Sequence, residues 1–178
     1  MSHKMQVRFP SFKELLQQPV LMLGFGLGSG LIKPGPGTWG TLLGLLLMIP
    51  LILWNEWAAW GLVVLSVLFG NFICGRSADM MQVHDHGGIV WDEFAGIWLV
   101  MVFLPEQSLW YWVAAFIAFR VFDIFKPWPI NWADQKVSGG AGIMLDDIIA
   151  ACYAIIIIWA VQYGFFMVDG VYLPENIQ

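Results

Sequence analysis

The chain has 178 residues, 59% of them hydrophobic and 12% charged, with 11 Trp and a formal net charge of −5. Soluble domains carry about 25% charged residues, so a mean hydropathy of +0.71 argues for a polytopic membrane protein and against a soluble one. An evenly spread negative charge would disfavour anionic lipid and nucleic acid as partners, but the charges here are not evenly spread.

In chain order, residues 1–19 form a basic segment expected on the cytoplasmic side. The stretch after it is glycine-rich, contains Lys33 and lacks a small-residue cleavage pattern, so the pair does not read as a signal peptide. Uncharged apolar runs follow at 41–54, 57–74, 94–104, 109–119 and 148–168, with breaks at Asn55-Glu56 and Pro105-Glu106. Only 57–74 and 148–168 have the ~18–20 residues that cross a bilayer core unaided. The shorter runs reach span length if their polar flanks continue the helices. Asp92 and Glu93 then lie in the first turn of one helix, and Arg120 and Asp123 in the last turn of its neighbour. The expected fold is all-α, a polytopic membrane helical bundle with short spans and a polar cluster at the cytoplasmic helix ends. No linker, repeat or low-complexity tract divides it, so 1–178 reads as one domain with 148–168 as its last span. Cys74 and Cys152 lack metal-site or disulfide spacing and read as small buried hydrophobes.

The basic residues are Lys4, Arg8, Lys13, Lys33, Arg76, Arg120, Lys126 and Lys136, all of them before the first span, between the second and third, or near or after the end of the fourth. By the positive-inside rule those segments face the cytoplasm, and an odd number of full spans puts the C-terminus outside. The same assignment collects Asp79, Asp85, Asp92, Glu93, Asp123, Asp134, Asp146 and Asp147 at one membrane face.

Three motifs deliver those acids. VHDHGGIVWDEFAG places Asp92 and Glu93 at a helix start, beside His84, Asp85 and His86. One acid there has a structural use, because negative charge favours a helix N-terminus, but two beside a His-Asp-His run exceed that need. Neighbours on a helix project about 100° apart, so both are expected to face one ion only if the backbone is irregular. AFRVFDIFKPWPI sets Asp123 three residues from Arg120 and from Lys126, on one face if the helix persists, although Pro127 makes it stop nearby. GGAGIMLDDIIAACYAIIIIW sets Asp146 and Asp147 ahead of the longest span. Crowded carboxylates call for a divalent cation, and an all-oxygen set suits Mg²⁺ rather than zinc. GFGLGSGLIKPGPGTWGT is not a Walker A loop. Its glycines, Lys33 and Thr38, leading into a helix expected from Thr41, could present N–H groups and a cation to phosphate, or could serve close helix packing.

Read together, GSGLIKPGPGTWG, DMMQVHDHGGIVWDEFAGIW, FRVFDIFKPWPINWAD and GGAGIMLDDIIA resemble the phosphatidylglycerophosphatase A family over most of residues 24–150. The resemblance implies a Mg²⁺-dependent phosphomonoesterase of the bacterial inner membrane. It would take the terminal phosphate from the lipid phosphatidylglycerophosphate at the cytoplasmic face of the bilayer.

Chemistry then suggests the roles. Asp92, Glu93, Asp123, Asp146 and Asp147 would hold one or two Mg²⁺, with a metal-activated water as nucleophile or one of these acids forming an aspartyl-phosphate. Lys33, Thr38, Arg120 and Lys126 would bind phosphate oxygens, and His84 or Asp85 would protonate the leaving group; His86 is the other candidate for proton transfer. Cys74 has no Arg six residues later, and no D-x-D-x-T/V or D-G-x-x-A-R motif occurs, which disfavours cysteine phosphatases, aspartyl-phosphate phosphatases and CDP-alcohol phosphotransferases. A membrane cation transporter, the non-enzyme alternative, predicts ionisable residues at mid-span, and runs 41–54, 57–74 and 148–168 have none.

Overall fold

A computed structural model of the chain describes residues 8–83 and 86–168, with side chains except those of residues 134, 135 and 165–168. Among the described residues the chain is entirely helical: α1 (Phe12–Gln17), α2 (Pro19–Gly24), a 3-10 segment (Gly26–Leu31), α3 (Pro36–Trp54), α4 (Glu56–Met81), α5 (Trp91–Val102), α6 (Leu109–Phe125), α7 (Ile130–Lys136) and α8 (Gly140–Val168). Three of them, α3, α4 and α8 through Gly164, are long and apolar enough to cross a membrane.

Local chemistry sets the helix ends. Ser11 and Glu14 form a reciprocal capping box at α1, and the Ser11 backbone N–H and hydroxyl hold the Glu14 carboxyl below its ordinary range. Gly26 (φ +51°) and Gly28 (φ +96°) take left-handed backbone that glycine adopts at little cost, reversing the chain between α2 and α3. Residues 20–32 therefore fold as two short pieces packed on α3 and α4. Here the glycines serve packing: a Cβ on Gly24 would strike Ser77, and one on Gly30 would strike the Gly88 carbonyl. The α3 helix begins at Pro36, not near Thr41 as expected, because proline at the first position is already shaped for a helix start. The added turn gives 19 residues, or about 28 Å, enough to approach the ~30 Å hydrocarbon core.

The centre of the bundle is α5. Its 12 residues rise only about 18 Å, too short to span. It does not need to face lipid, because α3, α4, α6 and α8 all pack against it and nine of its residues are buried, among them Phe94, Ile97 and Met101. A helix apolar on every side is what such a position requires. Two indoles pin it: Trp91 Nε1 donates to the Ser66 carbonyl of α4 (3.2 Å) and Trp98 Nε1 to the Gly44 carbonyl of α3 (2.8 Å). Exposed Trp54, Trp57 and Trp110 mark one end of the bundle and exposed Trp128 and Trp132 the other, the belts expected at two bilayer interfaces. Cys74 is buried as expected, but Cys152 is exposed, because α8 turns that face away from its neighbours.

Gly96 fixes how closely α5 meets α6, since a Cβ there would lie 2.6 Å from the Phe119 ring. Gly96→Val is expected to cost about 1–3 kcal/mol by overpacking and to lower the midpoint of thermal unfolding in detergent. Gly61→Ala, where a Cβ meets nothing within 4 Å, is expected to cause no such loss.

Candidate metal and phosphate site

At the end of the bundle where α5 and α8 begin and α6 ends lies a cavity of about 240 Å³, lined by Asp92 and Glu93 of α5, Asp146 and Asp147 of α8, and Asp123 and Lys126 at the end of α6. Asp92 and Glu93 occupy the first turn of α5, as expected. Arg120 and Asp123 lie near the end of α6, which stops at Phe125. Lys126 caps that helix in left-handed backbone (φ 42°), with its N–H on the Phe122 carbonyl at 2.9 Å. The helix therefore does not persist through Lys126, and its ammonium does not share a face with Arg120 and Asp123; it reaches across to Asp146 instead, at 2.6 Å.

The five acids fall into two groups. Asp123 pairs with Arg120, and Asp146 with Lys126. Arg120 Nη1 also lies 3.7 Å from Glu93 Oε1 and 3.5 Å from Thr41 Oγ1. Asp92, Glu93 and Asp147 form the other group, each offering a carboxylate oxygen within 4.8 Å of the others. Adjacent Asp92 and Glu93 thus do converge, contrary to the 100° argument, in a helix first turn of regular backbone; the longer glutamate side chain closes the gap. Asp92 Oδ1, Glu93 Oε2 and Asp147 Oδ2 are buried and accept no hydrogen bond among the described residues. A buried acceptor left unsatisfied costs about 1–3 kcal/mol, more when charged. Three converging acids with buried, unsatisfied oxygens fit a divalent cation, and a donor set of carboxylate oxygens suits a hard one.

Other expected residues lie elsewhere. Lys33 sits over the Phe9 ring, 3.8 Å from its centroid, and Thr38 is exposed in the first turn of α3; neither lines the cavity. His84 and Asp85 lie outside the described residues. His86 is buried between Phe9 and Phe25, with Nδ1 accepting from the Gly88 N–H (3.0 Å) and Nε2 on the Arg8 carbonyl (3.0 Å). An N–H can only donate and a carbonyl only accept, so the proton is on Nε2 and both nitrogens are engaged. His86 thus ties the N-terminal segment to the loop that leads into α5, and does not line the cavity.

Two residues absent from the expected set matter. Thr41 is buried, donates to the Gly37 carbonyl (2.8 Å) and faces Arg120. Gly37 backs the ion pair so closely that a Cβ would strike Glu93 Oε1 and lie 3.2 Å from the Arg120 guanidinium. A helix starting at Pro36 puts Gly37 and Thr41 on one face a turn apart, but their contacts with Glu93 and Arg120 are made between helices and leave no signal in the sequence.

Residues 22–162 match the family described as Phosphatidylglycerophosphatase A, a range that includes all five acids and runs past residue 150 along most of α8. The Phosphatidylglycerophosphatase A of Haemophilus influenzae is 47% identical over 156 residues, covering 86% of this chain and 95% of that protein. The Escherichia coli protein of the same name is 46% identical over 137 residues, covering 76% and 78%. A Bacteroides thetaiotaomicron protein, provisionally named as a phosphatidylinositol-3-phosphatase, is 36% identical over 146 residues, covering 79% and 91%. No solved structure matches. With a family match over most of its length and relatives 46–47% identical over three quarters or more of both chains, this chain belongs to the phosphatidylglycerophosphatase A family.

Proposed function

We propose that this chain removes the terminal phosphate of phosphatidylglycerophosphate, giving phosphatidylglycerol, with Mg²⁺ held by Asp92, Glu93 and Asp147 at the cytoplasmic face of the bacterial inner membrane. Lipid phosphate phosphatase activity follows from family membership. The metal reading is supported by three acids in one cavity at the helix ends, each offering a carboxylate oxygen within 4.8 Å of the others and each with a buried oxygen that accepts no hydrogen bond among the described residues. When bound, the cation would supply positive charge to the phosphoryl oxygens and lower the cost of generating a nucleophile from water.

The remaining chemistry belongs to side chains. A phosphate dianion entering a cavity lined by five acids meets strong repulsion, so fixed cations must be set among them. Lys126, held by Asp146, keeps one charge on the cavity wall; Arg120, held by Asp123, does not line the cavity but keeps another charge behind Glu93. Lys126 can take a phosphoryl oxygen directly and Arg120 adds positive charge from behind Glu93, and preorganised charge of this kind costs no rearrangement when the transition state forms. Asp123 and Asp146 then act through the cations they hold. His84 or Asp85 keeps its sequence-based assignment as the acid for the leaving alkoxide. Cytoplasmic orientation rests on the placement of all eight Lys and Arg residues.

Phosphate release from phosphatidylglycerophosphate by purified protein in detergent is expected to require Mg²⁺ and to stop with chelator. Asp92→Asn, Glu93→Gln and Asp147→Asn should each lower kcat by roughly 10²–10³-fold or more, with thermal unfolding showing that the fold persists. Release that survives both chelation and these substitutions would remove the metal from the account. Gly37→Ala is expected to displace Glu93 and Arg120 and to slow turnover by up to about 10²-fold without abolishing metal binding; a wild-type rate would show that the close approach of α3 has no catalytic weight.

A further inference from the structure

Between α6 and α8, below the acid cavity, runs an apolar groove of about 530 Å³. Half-buried Ala114 and Ala118, one helical turn apart, leave the depression, and the exposed Ile117, Val121, Ile157 and Val161 flank it. In a bilayer such a depression is filled by hydrocarbon, so the question is whose.

Three features of the groove answer it. One end of it comes near the reaction site: Phe122 lines the groove, and the next residue, Asp123, lines the acid cavity. The two helices that wall the groove are the same two that carry Asp123, Asp146 and Asp147. Phe122 to Trp110 is a rise of about 18 Å along α6, so the groove runs from near the acid cavity toward the opposite interface, as an extended hydrocarbon chain entering from the headgroup end would. The far end is marked by a polar pair, the Tyr111 hydroxyl donating to Gln162 Oε1, set among otherwise apolar lining.

We propose that this groove binds one acyl chain of the diacyl substrate while the phosphate headgroup occupies the acid cavity. The lipid crosses from one to the other at Phe122, whose ring packs on Tyr153 with centroids 5.2 Å apart. The proposal rests on the phosphatase reading and adds to it a basis for selecting membrane lipid over soluble phosphate esters: binding energy from a remote, non-reacting chain is spent at the reacting end.

The test uses wild-type protein in lipid nanodiscs with a diacyl phosphatidic acid carrying a photoactivatable diazirine in one acyl chain, followed by mass-spectrometric mapping of adducts. Adducts concentrated on α6 and α8 at Ala114, Ile117, Ala118 and Ile158, and competed by unlabelled phosphatidylglycerophosphate, support the groove. Adducts spread evenly over the lipid-facing sides of α3 and α4 overturn it, as does an Ile117→Cys variant that cross-links to a second copy instead of to lipid. In parallel, Ala114→Leu with Ala118→Leu is expected to lower the ratio of kcat/KM for a long-chain over a short-chain diacyl substrate about tenfold. An unchanged ratio in an active enzyme overturns the groove and leaves the phosphatase reading standing. A wild type that releases no phosphate from either lipid overturns that reading, while the adduct map still decides the groove.

Discussion

Everything at the site depends on the burial of α5. A helix of 12 residues that is apolar on nearly every face cannot cross a bilayer and cannot stop half-way in lipid with its last carbonyls exposed. Enclosure by α3, α4, α6 and α8 resolves both problems, and it forces the first turn of α5 into the middle of the bundle's polar end. Asp92 and Glu93 are therefore carried inward, toward Asp147 and Arg120. Side chains that would sit harmlessly in solvent at the start of a surface helix are here made to share one cavity.

The charges in that cavity are partitioned rather than pooled. Asp123 and Asp146 each hold a cation, and those pairs keep Arg120 and Lys126 from being drawn wholly onto the other three acids. What remains is a cluster of three acids, each with a buried oxygen that accepts no hydrogen bond among the described residues, with Arg120 beside Glu93 and Lys126 on the cavity wall. Such an arrangement is costly for stability and useful for binding a phosphate bridged to a cation, which is the compromise expected at a catalytic site.

Much of this was legible in the sequence. The all-helical membrane fold, the helix-end placement of the acids and the stop before Pro127 followed from apolar run lengths, charge positions and proline chemistry. Family membership followed from the acid motifs and is carried by the family match. The sorting of the acids was not legible, because which carboxylate meets which cation is decided by helix-to-helix contacts, and sequence spacing reports only contacts within a helix. Lys126 shows this most clearly: three residues after Asp123 in the chain, it serves Asp146 twenty residues on. The glycines misled in the opposite direction. Lys33 and the GFGLGSG stretch suggested a phosphate cradle, yet Gly24 and Gly30 are small because Ser77 and Gly88 press against them, while Gly37, in the first turn of α3, touches the charged cluster.

If Asp92, Glu93 and Asp147 form one cation site, anomalous diffraction from crystals of the protein soaked with Mn²⁺ as a Mg²⁺ surrogate will give a peak in the acid cavity with oxygens of all three carboxylates at about 2.1 Å. A peak bound only by Asp123 or Asp146, or no peak in the cavity under conditions where Mn²⁺ supports phosphate release, would contradict it.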